Sequence, residues 1–122
     1  MTRKEVALTF LKMAARGDSI EAFREFVSPA LIHHNAYFPK DPVVLMEAMA
    51  ESARMNPHKE FTVQRALEDD DLVAVHSFIK QNTEDRGAVV MHIFRFVDDK
   101  IVEMWDFGQM LPEYVVNENG LL

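Results

Sequence analysis

Near residue 59 the chain changes its hydrophobic period, and this change constrains the fold more than any other feature. Before it, apolar residues recur at helical spacing; after it, they fall in strand-length blocks. Thr2 with Glu5 three residues on is a capping-box pattern. Val6, Phe10, Met13 and Ala14 then share one helical face, and Gly17 ends the element. Asp18 with Glu21 repeats the cap ahead of a short helix whose apolar side is Ile20, Phe23 and Phe26-Val27, stopped by Ser28-Pro29. Leu31–Asn35 is too short for a helix and reads as a brief strand or extended stretch. Asp41-Pro42 is an N-cap with proline at the first helical position. Val44, Leu45, Ala48, Met49 and Ser52 carry that helix to about Met55.

In the second half Phe61, Val63, Arg65 and Leu67 alternate, and Asp69-Asp70-Asp71 makes a turn. Strands are expected over Leu72–Lys80, Ala88–Val97 and Ile101–Gly108, with a further turn at Asp98-Asp99. Helices first and an antiparallel meander after define an α+β layer fold: three N-terminal helices packed on a curved four-stranded antiparallel sheet, plus a short strand near 31–35. The 122 residues suit one domain, with a helical part at about 2–56, a sheet at about 59–109 and a tail at 110–122.

Both faces of the expected sheet are apolar. On Ala88–Val97 one face carries Val90, His92, Phe94 and Phe96, and the other carries Val89, Met91 and Ile93. Ile101, Trp105 and Phe107 likewise oppose Val102 and Met104. A sheet with one wet face alternates apolar with polar, and this one does not. Three modest helices cover one side. The other is expected to bury against a second copy of the chain, through an outer face including Trp105, Met91 and Ile93. Cover by the tail is the alternative.

Polar residues interrupt one of these faces: His76 between Ala74 and Phe78, His92 between Val90 and Phe94, and Asp106 beyond Met104. Buried groups of this kind need hydrogen-bond partners, so they suggest the polar floor of an apolar pocket. Whether His92 meets Asp106 depends on the last hairpin. A two-residue loop pairs Val97 with Lys100 and His92 with Trp105, sending Asp106 to the far face. A three-residue loop with Asp99 left-handed sets His92 across from about Met104, next to Asp106, and further bulging brings it opposite Asp106. The residues alone leave both open.

Bulk properties narrow the partners. A formal net charge of −7 with scattered basic residues argues against nucleic acid and against an anionic membrane surface. The absence of cysteine excludes a disulfide frame, a thiolate nucleophile and Cys-ligated zinc. The N-terminus lacks a signal-peptide apolar run, and no stretch reaches the ~18 apolar residues of a membrane span. A cytoplasmic protein is expected.

Several stretches resemble the SnoaL-like polyketide cyclase family of the nuclear-transport-factor-like superfamily. Leu31-Ile32-His33-His34-Asn35 is similar to that family's Tyr-Ile-Gln-His-Asn stretch, and Val75-His76-Ser77 follows in order. The longest match is Ile93 through Asp106, and Pro112-Glu113 and Asn117-Glu118-Asn119-Gly120 resemble the family's tail. The resemblance implies a cone-shaped half-barrel with a central pocket shared by His92 and Asp106, and thus favours the register that pairs them. It also implies an acid/base role for Asp106. Two departures stand out: Asp99 replaces a turn glycine, and His92 stands where many relatives carry aspartate.

The expected catalytic pair is therefore Asp106, desolvated by Met104 and Phe107, and His92, with His34, Asn35 and His76 binding the substrate. His33 is expected to face away from the pocket. His34, His76, His92 and Asp106 also resemble a three-histidine, one-carboxylate metal set, but lack the short spacing of a recognised metal motif. No metal and no cofactor are expected. The expected ligand is a small, largely apolar molecule. The expected activity is proton transfer next to a carbonyl, as in a cyclase, isomerase or lyase. The alternative is a non-catalytic ligand-binding or dimerisation module whose cavity is filled by Met104, Phe78 and Phe94.

Overall fold

In the computed structural model, which describes residues 1–122, helix α1 (Arg3–Arg16) is fixed at both ends by its own sequence. Thr2 Oγ1 accepts from the Glu5 amide at 3.1 Å, and Glu5 Oε1 accepts from the Thr2 amide at 3.0 Å. Gly17 closes the helix at φ +105°, a left-handed conformation that costs a side chain about 1 kcal/mol or more. Helix α2 (Ser19–Phe26) starts differently from expectation. Asp18 makes no capping bond, because its carboxylate is drawn to Arg16 Nε at 2.6 Å. Ile20 is left largely exposed, and Ala22, Phe23 and Phe26 form the buried side. Helix α3 (Pro42–Met55) begins as expected, the Asp41 side chain accepting from the Val43 amide at 2.9 Å.

The strands are β1 (Val27–His33), β2 (Glu60–Asp69), β3 (Leu72–Lys80), β4 (Ala88–Val97) and β5 (Lys100–Met110). They form one open sheet in the order β1-β5-β4-β3-β2. The antiparallel meander β2 to β5 is present as expected. The short strand is longer than expected: it starts at Val27 and pairs with β5 in parallel, giving a mixed five-stranded sheet. Pro29 does not end it, because β1 is an edge strand whose register is interrupted between Val27 and Ile32, where a missing amide donor is tolerated.

The last hairpin combines the two alternatives read from the sequence. Its loop has two residues, with Val97 paired to Lys100. Asp98, not Asp99, takes the left-handed conformation, at φ +54°. An extra residue on β5, Val102, then bulges, since Arg95 pairs with Glu103 while Phe96 pairs with Ile101. This slip places Ile101 on the same buried face as Met104, not opposite it, and sets His92 directly across from Asp106.

The helices cover one face of the sheet. Phe10 of α1 sits at its centre, 5.4 Å from the Phe23 ring and 5.7 Å from the Phe94 ring. Val73, Val75, Phe94, Phe96, Ile101 and Met104 complete this core from the sheet side. The other face carries the cross-strand rows Leu67–Ala74–Ile93–Trp105 and Arg65–His76–Met91–Phe107. No element covers these rows, and Tyr114 and Val116 of the tail are themselves exposed.

Candidate functional site

Strand parity sorts the expected site residues. His92 pairs with Val75 on β3 and with Asp106 on β5, so both lie on the helix-facing side. His76 pairs with Met91, which has the opposite parity to His92. His76, with Ala74 and Phe78, is therefore on the outer face, where its Nδ1 contacts Arg65 Nη1, and it is not a pocket residue. The expectation failed because alternation was read without a register to fix which half of β3 points inward.

The two adjacent histidines of β1 divide between the two faces of the sheet, and His33 does not face away as expected. His33 pairs with the buried Met104 and is itself buried. His34 projects from the outer face, stacked on Trp105 with ring centroids 5.2 Å apart, its Nε2 2.7 Å from Glu103 Oε2. His34 first and Arg95 second hold the Glu103 carboxyl below the usual carboxylate range by hydrogen bonding.

His33 has a role that the sequence reading missed. Its Nδ1 accepts from the Asn35 amide at 3.2 Å, so the ring proton is assigned to Nε2, which donates to the Pro39 carbonyl at 2.8 Å. The anchored Asn35 in turn accepts from the Tyr37 amide through Oδ1 at 2.9 Å and donates from Nδ2 to Asp106 Oδ2 at 2.8 Å. Since the Asn35 Oδ1 accepts from a backbone amide, the amide side chain is oriented with its donor toward Asp106. A buried histidine thus fixes an asparagine, and the asparagine fixes a carboxylate. The signal for it was Leu31, whose burial two residues earlier sets the phase.

His92 stacks on Phe94 at 6.1 Å, nearly parallel, and lies edge-on to Phe61 at 6.4 Å. Its Nδ1 is fully buried and has no hydrogen-bond partner. Burial lowers the pKa of the imidazole, against a smaller opposing pull from Asp106, so the ring is neutral at pH 7. No hydrogen bond links His92 to Asp106; the carboxylate is engaged through Oδ2 by Asn35 alone.

These groups border a cavity of about 320 Å³ roofed by α1 and α3. Leu11, Leu45, Ala48, Met49 and Phe61 supply apolar wall, with Asn35, His92 and Asp106 on the β4–β5 side. Met104 and Phe94 are packed into the core beside it and leave this volume open. A second hollow of about 490 Å³ shares Asn35, His92 and Asp106, and His34 lines it with Ala36-Tyr37 and Gly108–Met110 at the mouth. A larger groove of about 680 Å³ lies between α2, α3 and the β4–β5 turn, but it holds none of these groups. The four residues that resembled a metal set do not converge: His34 and His76 are on the outer face, His92 and Asp106 on the inner. No helix is long and apolar enough to cross a membrane.

Helices closing one face of an open, bulged sheet over an apolar pocket with a polar floor define an α+β small-molecule-pocket fold of the NTF2-like kind. Within it, the chain belongs to the SnoaL-like domain family, which matches residues 7–104. Among solved structures it is similar to IdmH of Streptomyces antibioticus, provisionally assigned as a polyketide cyclase, at 19% identity and TM-score 0.70 over 88% of this chain and 92% of that one. AclR of Streptomyces galilaeus, provisionally assigned as a hydroxylase, matches at 26% identity and TM-score 0.69 over 90% and 80%. An NTF2-like protein of unknown function from Burkholderia xenovorans LB400 matches at 17% identity and TM-score 0.73 over 93% and 88%. No curated protein matches the sequence.

Proposed function

We propose that this protein moves a proton next to a carbonyl of a small, largely apolar substrate held in the central cavity, without a cofactor. The observation that carries this reading is the Asn35–Asp106 contact, facing His92 across the strand pair beneath an apolar cavity. Asn35 holds Asp106 Oδ2 and leaves Oδ1 free to act as base. Asp106 takes the proton, the C–H bonding pair becomes the new C=C, and the carbonyl π pair moves onto oxygen. The neutral His92 ring, its Nδ1 buried, donates to that oxygen from Nε2 as charge develops. Asp106 then returns the proton to the rearranged product. The dry wall makes these dipoles effective. His34 and His76 have no part in this scheme.

The competing reading, a binding or dimerisation module, needs a cavity filled by its own side chains. The open volume beside both polar groups supports the enzyme. We also propose that the outer rows around Met91, Ile93 and Trp105 pair with a second copy, since nothing in the chain covers them.

The test uses 2-tetralone, an apolar bicyclic ketone, in deuterated buffer, with loss of its α-protons followed by NMR. The protein should accelerate exchange over buffer. Asp106→Asn should remove about 10²–10⁴-fold of that acceleration while the circular dichroism spectrum is unchanged. Equal exchange by Asp106→Asn and wild type would overturn the base assignment.

A further inference from the structure

The same cavity has a second polar pole, where α3 and β3 end and β2 begins. Lys59 lines it with Ser52 and Gln81, away from the β4–β5 side. Asn56 ends α3 with its Nδ2 on the Ser52 carbonyl at 2.8 Å, and its own carbonyl accepts from the Lys59 amide at 3.1 Å. This turn aims the lysine inward, and Lys59 Nζ reaches Ser52 Oγ at 3.0 Å.

The ammonium has no counter-ion. The chain has 20 acidic residues, yet none pairs with Lys59. Burial alone pushes its pKa down. Beside it, Gln81 Oε1 is buried without a partner, and its amide can be turned to present NH2 instead. An unpaired cation and an unsatisfied amide in one half-buried wall are unfavourable in the empty protein. They are complementary to one ligand group, which takes hydrogen bonds from both and neutralises the charge.

We infer that Lys59, with Ser52 and Gln81, binds the carboxylate of the substrate, so that the ligand is an apolar acid spanning the cavity from this pole to Asn35, His92 and Asp106. The inference rests on the cavity being the substrate site, as proposed above. Lys59 is then a specificity-determining residue: it fixes which end of the molecule lies against Asp106. With an overall charge of −7 the protein repels anions at long range, so the selectivity has to be local.

The experiment compares two probes of the same shape, 2-naphthoate and 2-naphthamide, by calorimetric titration of the full-length protein. Wild type should bind the carboxylate about tenfold or more tightly than the amide. Lys59→Met should erase that preference and Lys59→Arg should keep it. The preference is read without any reaction, and 2-tetralone exchange is read without a carboxylate, so either proposal can fail alone. Equal affinity of wild type for the two probes, a preference that survives in Lys59→Met, or no binding of either probe at millimolar concentration overturns the assignment. Circular dichroism of each variant confirms that it is folded.

Discussion

Replacing His92 by phenylalanine should make this protein more stable and inactive. A core substitution usually destabilises, so the sign is a stringent test. His92 lies between the Phe61 and Phe94 rings with Nδ1 buried and unpartnered. Such an atom costs the fold about 1–3 kcal/mol, and a phenyl ring removes it. The added volume extends into an open cavity of about 320 Å³, so overpacking does not offset the gain. In a domain of 122 residues the melting temperature moves about 4 °C per kcal/mol, giving a rise of about 4–12 °C at pH 7. Acidity amplifies the difference. The folded pKa of His92 is depressed, whereas the unfolded ring titrates near 6.5. Below that pH the unfolded chain binds the extra proton, so this part of wild-type stability, full at pH 7, is lost as pH falls from 6.5 toward the folded value. The slope is at most about 1.4 kcal/mol per pH unit. His92→Phe lacks this loss, so scanning calorimetry at pH 7 and pH 5 should show the gap widening. A melting temperature at or below wild type at pH 7, or a gap that narrows in acid, refutes the assignment of His92 as a buried neutral group with an unmet hydrogen bond.

Asn35→Ala removes the only hydrogen bond to Asp106 and should slow 2-tetralone exchange by about ten- to a hundredfold, chiefly in kcat, as read by NMR. Gly17→Ala should lower stability by about 1 kcal/mol in urea denaturation, because its φ is +105° while the nearest side-chain contact, Ala53 Cβ at 3.8 Å, is ordinary. Gly108→Ala should be worse than Gly17→Ala in the same assay, since its Cβ would meet the Val89 carbonyl oxygen at 2.4 Å. Trp105→Arg should leave exchange intact, and light scattering should return a dimer for wild type and a monomer for the variant.

The helix ends and hairpins were legible because their signals are local. The Thr2–Glu5 box, Asp41-Pro42 and the aspartate turns act within four residues of themselves. What escaped was phase. Whether His33 or His34 points inward depends on how β1 sits beside β5, two segments about 70 residues apart. His76 was misplaced because alternation gives two faces without saying which is buried, and Ile101 because the bulge at Val102 breaks the alternation itself. Asp106 and His92 were brought together only because a family resemblance chose between two registers. Lys59 left no trace in the pattern: a single lysine after a helix reads as surface until α3 and β3 converge on it.

Val102 gives the hairpin an odd count, and parity has a discrete consequence. Deleting that one residue would not shift the Asp106 carboxylate by a few ångströms; it would rotate every later side chain of β5 through half a turn, sending Trp105 beneath the helices and Asp106 to the outer face. Insertions and deletions in this hairpin are therefore compatible with the pocket only in even steps, whereas the identity of residue 102 itself is free to drift.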